Sequence, residues 1–325
     1  MWWRAALTGL LALILGCSVA LAQTPSRVFR VGLLTVGSST TSICGPAMVK
    51  HFVERGYQPG VNLEFEIRAA QGKLERLPGY VAELAASHVD LIMTNGYVAA
   101  VAAKEGAPHV PVVVTGAGDP VATGLVESLA RPGGKVTGVS EIAGPLSTKR
   151  LELLKEAIPT VRTVAVLWNA DDRAMTLRYK AAEIEGANLG VSIVPLGVRA
   201  PEDFKVAFAA MTEKPPDSIL MITDILTALN RARVIEFAAV HKIPAIYEYD
   251  WIVRDGGLMA YGPDMDAMFD RAAGLADRIL KGANPAELPL ELPTRLRLSV
   301  NLKTAKALGV EFPESIVLRA DDVIE

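Results

Sequence analysis

Short runs rich in β-branched residues alternate with longer segments of helical spacing along this 325-residue chain, and that alternation leaves few folds open. Ten runs read as strands: Val28–Val36, Asn62–Arg68, Asp90–Met93, Pro111–Thr115, Lys135–Val139, Thr163–Trp168, Ser192–Leu196, Ser218–Thr223, Ala245–Tyr247 and Gly257–Ala260. Between them, Leu77, Tyr80, Val81, Leu84 and Ala85 fall on one helical face, as do Met265, Met268, Phe269, Ala272, Ala276, Ile279 and Leu280. Strand, helix, strand repeated in this way predicts parallel sheets with right-handed crossovers and helices on both faces. The runs fall into two sets of five, so the expected fold class is α/β with two similar Rossmann-like lobes. The border is expected at Glu141 to Pro145, where Gly144-Pro145 follows the fifth strand and a helix, Leu146 to Ala157, begins. Two lobes on a short crossover make a hinge, and the cleft between them is a natural ligand site.

The amino terminus indicates export. Trp2, Trp3 and Arg4 precede an apolar run from Ala5 to Leu15, too short for the ~20 residues that span a bilayer. Ala20-Leu21-Ala22 has the small-x-small pattern of a cleavage site, so residues 1–22 read as a signal peptide. Ile14-Leu15-Gly16-Cys17 is the competing site and would leave Cys17 as a lipid-anchored first residue. Either cut places the mature chain outside the cytoplasmic membrane, with periplasmic release the first expectation and a lipoprotein the alternative. Cys44 is the only other cysteine, so no internal disulfide is expected. After removal of the signal, 32 basic residues face 36 acidic ones, a balance that disfavours nucleic acid or anionic lipid as partner.

Enzyme signatures are missing. Gly116-Ala117-Gly118-Asp119-Pro120 lacks the third glycine of a dinucleotide fingerprint, and Pro120 sits where a phosphate-binding helix would open. There is no phosphate-loop lysine and no Gly-x-Ser-x-Gly elbow. His51, His88, His109 and His241 lack metal-ligand spacing and read as structural or surface histidines. Neither a cofactor nor a metal is expected.

Several blocks resemble the substrate-binding proteins of ABC transporters, in the group that includes binders of aromatic amino acids. They are Gly118-Asp119-Pro120-Val121 with Gly124-Leu125-Val126, Ser128 to Gly134 (SLARPGG), Val136-Thr137-Gly138-Val139-Ser140, Lys149 to Leu154 (KRLELL), Ile243 to Tyr247 (IPAIY), Gly256 to Gly262 (GGLMAYG), Val300 to Gly309 (VNLKTAKALG) and Arg319 to Glu325 (RADDVIE). The resemblance implies the type I periplasmic-binding-protein fold, with a hinge of three segments. It further implies an amino-terminal lobe over 28–141, a carboxy-terminal lobe over 142–261, a return to the first lobe over 262–283, and a tail over 284–325 that completes the second. The implied function is capture of a small molecule, an amino acid or aromatic compound, and its delivery to an ABC transporter permease. A ligand-sensing module for a receptor or kinase is the alternative use of such a fold. The membrane is expected to be reached only through the permease or a lipid on Cys17.

In such a fold the ligand lies against loops at the strand ends. On the first lobe these carry Ser38, Ser39 and Thr40, then Thr94, Asn95 and Gly96, then Gly116 to Asp119. Hydroxyls and backbone N–H groups at a helix start suit a carboxylate, although Ser39, Thr94 and Asn95 are equally suited to capping helices. Asp119, before Pro120, suits either a ligand contact or the bracing of its own turn. On the second lobe the candidates are Asn169, Asp224, Tyr247 and Glu248, with Asp224 or Glu248 available to an ammonium group and Tyr247, Tyr249 and Trp251 to an aromatic ring. Asp171 and Asp172 read as acids of a helix's first turn. Two of these loops, Asn169 to Arg173 and Thr223 to Thr227, depart from the family's usual Asn-Pro and Asp-Pro patterns.

Overall fold

The computed structural model describes residues 27–38, 45–141 and 143–325. The expectations for the signal peptide, Cys17, Ser39, Thr40 and Cys44 lie outside those residues.

β1 (Phe29–Thr35) shows how the first sheet is made. Val31 and Leu33 enter one core while Leu34, from the opposite face of the pleat, enters another, so the strand is apolar from Val31 to Leu34, where both faces are covered. Its neighbours are β2 (Leu63–Ala69), β3 (Leu91–Asn95), β4 (Val112–Thr115) and β5 (Val136–Val139), all parallel, in the order β2-β1-β3-β4-β5. One face is covered by α1 (Pro46–Val53) and the other by α2 (Leu77–Ala86) and α3 (Tyr97–Gly106). The face shared with α1 is completed from far along the chain by α10 (Met265–Leu280), whose apolar row meets Val31, Leu33, Met48 and Phe52.

The second sheet repeats the plan with β6 (Thr163–Asn169), β7 (Ser192–Val198), β8 (Ser218–Met221), β9 (Ala245–Tyr247) and β10 (Met259–Pro263) in the order β7-β6-β8-β9-β10. Helices α4 (Ala143–Ala157) and α5 (Arg173–Asn188) cover one face; α6 (Asp203–Glu213), α8 (Arg231–His241) and the single-turn α9 (Asp250–Arg254) cover the other. The short α7 (Ile225–Leu229) follows β8. Here the sequence reading falls short by two strands. β11 (Leu296–Asn301) joins β10 antiparallel and β12 (Asp322–Ile324) joins β11, so this sheet has seven strands and is mixed rather than wholly parallel. The reason is local: β11 follows a segment with Pro285, Pro289 and Pro293 that reads as loop, and β12 is only three residues long, too short to show a period. Helices α11 (Leu302–Leu308) and α12 (Glu314–Arg319) lie between the two added strands.

The chain passes between the sheets after β5, after β10 and again after α10. On the last passage Thr137 Oγ1 donates to the Leu288 carbonyl at 2.9 Å and Ser140 N to the Glu291 carbonyl at 2.8 Å, so residues 288 to 291 cover the open edge of β5 before the chain enters β11.

β5 fits against β4 only because of Gly138. Its φ is +150°, and a Cβ there would stand 2.0 Å from the Val114 carbonyl oxygen. Gly138→Ala is therefore expected to cost at least about 3 kcal/mol. Urea denaturation of the purified variant measures this.

Candidate functional site

In an open parallel sheet, ligands collect at the carboxyl ends of the strands where the strand order reverses. Both sheets reverse in the same place. In the first the reversal lies between β1 and β3, whose ends carry Ser38 and Asn95; in the second it lies between β6 and β8, which lead to Asn169 and Asp224. The two sets of loops meet across one seam. Arg173 Nη2 donates to the Ala122 carbonyl at 3.2 Å, and Gly118 approaches α5 so closely that a Cβ on it would stand 3.1 Å from that of Ala174. A Cβ on Gly37 would stand 2.9 Å from Ile225 Cδ1, and Ile225 itself packs on the first-lobe core formed with α2 and α3. Tyr97, at the head of α3, packs against cores of both lobes.

Asn95 does not cap α3: its Nδ2 donates to Thr115 Oγ1 at 3.2 Å, and the cap position is Gly96, at φ +80°. Thr94 is wholly buried and its Oγ1 makes no hydrogen bond, while its carbonyl accepts from Thr115 Oγ1. Gly116, at φ +69°, donates its N–H to the Val139 carbonyl. Asp119 braces its own turn, with Oδ1 accepting from Ala122 N at 3.0 Å and its carbonyl from Thr123, and the residue stands exposed. Ser38 ends the described part of the β1 loop and is half-buried.

On the second lobe, Asp224 caps α7 in a reciprocal box with Thr227, and its Oδ2 accepts from Asn169 Nδ2 at 2.6 Å. Asn169 Oδ1 in turn accepts from Asp171 N. Asp171 itself is exposed and pairs with Arg199. Asp172 is the N-cap of α5, with Oδ1 accepting from Ala174 N at 2.7 Å and Met175 N at 3.2 Å. Tyr247 lies in the core between the sheet and α8–α9, pressed against Gly257, and is not brought to the seam. Glu248 is buried between two arginines, so it is not the free carboxylate the sequence suggested for an ammonium group, while Asp224 accepts from the neutral donors Asn169 and Thr227.

What the sequence reading missed is the charged group beneath the seam. Arg178 of α5 donates to Glu248 Oε2 at 2.8 Å and to Glu141 at the end of the β5 loop; Arg150 of α4 donates to Glu248 Oε1 at 2.9 Å and to the Tyr261 carbonyl at 2.6 Å. Tyr249 donates its hydroxyl to Glu141. The Gly116–Gly118 loop sits directly above: a Cβ on Gly116 would stand 2.8 Å from Glu141 Oε1, and one on Gly118 would stand 3.7 Å from Arg178 Nη2. Burial opposes charge on both guanidiniums. At Arg178 two carboxylates outweigh it and push the pKa up; at Arg150, with Glu248 attracting and Arg178 repelling, burial prevails and the pKa falls below its ordinary value. Burial and then Glu141 push the Tyr249 phenol well up, so it stays protonated and able to donate. The signal for Arg178 was present in the row Ala174, Arg178, Ala182, Gly186, where one cation stands in a stripe of small residues at four-residue spacing.

Removing one partner of a buried pair strands the other charge. Arg178→Ala is expected to destabilise the protein by about 3–5 kcal/mol, and Arg178→Lys, which cannot reach both carboxylates as a fork, by a substantial part of that. Chemical denaturation of both variants measures this.

The Asp172 carboxyl is pushed up to about 6, chiefly by burial and next by the charge of Asp224, against the pull of its two backbone N–H bonds. A folded-state value above the unfolded one means that ionisation works against folding: stability falls as pH rises from about 4 through 6. Asp172→Asn keeps the cap and discards the charge. Without ligand it is expected to be more stable than wild type at pH 7.5, by on the order of 2–3 kcal/mol, with the gap fading toward pH 4. Urea denaturation across that range is the measurement.

Comparison with known proteins places this geometry. Residues 46–324 match the family model of the ABC transporter substrate binding protein. A tyrosine-binding protein of Clostridioides difficile is 26% identical over 263 residues, covering 81% of this chain and 75% of that protein. Among solved structures, an ABC domain from Streptococcus pneumonia in complex with L-Trp superposes with a TM-score of 0.84 at 23% identity, covering 92% of this chain and 100% of the other. A ligand-free, open substrate-binding protein of Clostridium difficile gives 0.65 at 25% identity, covering 91% and 99%. With a match over nearly all of the described residues, two lobes and a seam built from both switch points, this chain belongs to the ABC transporter substrate-binding protein family.

Proposed function

We propose that the protein captures an amino acid or aromatic solute between its lobes and presents the closed form to an ABC transporter permease. The observation that carries this reading is the seam itself, where polar loops from both switch points converge and first-lobe glycines pass within contact distance of second-lobe side chains. The relatives named for tyrosine and bound to L-Trp support the solute class. Thr94 Oγ1 and Arg178 Nε, buried and without hydrogen bonds in the described protein, offer a ligand polar partners at little desolvation cost. Ser38, Asn95, Gly96 and Gly116 on one side, with Asn169, Asp224 and Tyr249 on the other, are the residues we place around it. Tyr249 stacks on Trp251 with centroids 5.9 Å apart, and this aromatic pair forms one border.

Closure works as capture only if the ligand favours the closed form through contacts that the open form lacks. The hinge we assign is the set of three passages, after β5, after β10 and after α10. The mature protein acts outside the cytoplasmic membrane, cut after Ala22 or lipidated at Cys17; the mass of the mature amino terminus separates these.

Thermal-shift screening of amino acids, aromatic acids and sugars tests the reading. A true ligand at a hundred times its dissociation constant is expected to stabilise the protein by about 2.7 kcal/mol. Asn95→Ala is expected to abolish that shift while leaving the ligand-free melting temperature within a few degrees. A shift unchanged in this variant, or produced only by sugars, would count against it.

A further inference from the structure

We propose that α7 is a clasp: Ile225 and Leu229, carried on the second lobe, grip two glycine-bearing loops of the first and hold the lobes together without touching the solute, so that α7 sets how long a captured solute stays. The inference rests on the reading of the seam as the place of capture and adds to it a contact of lobe with lobe.

The helix is fastened to its own lobe at both ends. Leu226 packs on the core formed with α6 and α8. Thr227, wholly buried, donates its hydroxyl to the Ile222 carbonyl at 3.0 Å while its N–H is capped by Asp224. At the other end Asn230 Nδ2 donates to the Leu226 carbonyl at 2.9 Å and Arg231 Nη1 to the Ala228 carbonyl at 3.0 Å. The unpaired backbone groups of a helix end are thus answered from within the second lobe, and α7 moves with that lobe as one piece.

Ile225 and Leu229 stand four residues apart, on one face of the helix, and both reach the first lobe. Ile225 joins the core formed with α2 and α3, its Cδ1 2.9 Å from where a Cβ on Gly37 would stand. Leu229 Cδ1 lies 3.5 Å from the corresponding point on Gly72, a residue at φ +81°. The loops that bear these glycines are tied to each other: Gln71 N donates to the Gly37 carbonyl at 3.0 Å, and Gly72 N to the Val36 carbonyl at 2.7 Å. They form one platform, and the lack of a side chain at Gly37 and Gly72 is what admits the two apolar tips. Separation of the lobes breaks both contacts and returns apolar carbon to water. The closed form is thereby favoured by the same amount whichever solute is held, and a contact of that kind shows in the dissociation rate.

Surface plasmon resonance on the purified protein, with L-tyrosine and L-tryptophan as probes, tests this, together with small-angle X-ray scattering of the protein free of solute. Ile225→Ala and Leu229→Ala combined are expected to speed dissociation about tenfold, by the same factor for both probes. Leu229 is 54% exposed, so Leu229→Ala alone is expected to speed dissociation with the urea midpoint unchanged, which a merely structural role would not give. Gly37→Ala sets a methyl group against Ile225 Cδ1 from the opposite lobe. It is expected to speed dissociation in the wild type and to do much less in the Ile225→Ala background, a coupling expected of residues in contact across the seam. Unchanged dissociation in both alanine variants, additive effects of Gly37→Ala and Ile225→Ala, or a loss several-fold larger for one probe than for the other would overturn the clasp while leaving solute capture standing. If neither probe binds the wild type, the aromatic amino-acid reading falls and scattering decides the clasp. A larger radius of gyration in the combined variant than in the wild type supports it, and equal radii overturn it.

Discussion

Four charges buried in one place hold the two lobes' working ends in register. Glu141 comes from the end of the β5 loop, Arg150 from α4, Arg178 from α5 and Glu248 from the loop after β9, so the group joins segments more than a hundred residues apart. Moving such charges out of water costs several kcal/mol each, and only complete mutual pairing offsets it. That requirement explains the local backbone. Gly262 packs so tightly against the Glu248 carbonyl that a Cβ would stand 2.0 Å away, and Gly116 and Gly118 leave the space that lets the first-lobe loop cover the charges. The glycines and the charges are one design, since a side chain at any of these glycines would push the loops off the group they seal.

The same group explains why the seam carries a net charge. With both arginines spent on Glu141 and Glu248, no basic side chain among the described residues pairs with Asp172 or Asp224, which the fold sets together because each caps a helix at a strand end beside the point of strand reversal. Helix capping places the carboxylates, and the reversal of strand order opens the crevice they face. A cleft built in this way has its electrostatics settled before any ligand arrives.

Much of the architecture was legible in the chain. β1, β3 and β4 carry continuous apolar runs, 31–34, 91–93 and 112–114, because both faces are covered there, and α2 and α10 show their buried rows at helical spacing. β11 and β12 were not found: β11 follows a segment with Pro285, Pro289 and Pro293 that reads as loop, and the three-residue edge strand β12 is too short to show a period. Of the candidate site residues, Asn95, Asn169 and Asp224 stand at the switch points as their place after apolar runs suggested, whereas Tyr247 turns into the core and Asp119 into its own loop. The strand-end rule selects loops, but along a strand successive side chains face opposite ways, and which of Tyr247 and Glu248 meets the seam depends on what covers each face.

The sequence by itself determined the α/β class, the two lobes and the loops in which a ligand site could lie, because those follow from periodicity and turn chemistry, which are local. Tertiary structure decided which side chains share that site. Arg178 looks like any helix-surface arginine until the first-lobe loop closes over α5, and Asp172 looks like a first-turn acid until burial and Asp224 raise its carboxyl. Charge pairing and desolvation depend on distances between segments remote in sequence, and only the folded chain sets those distances.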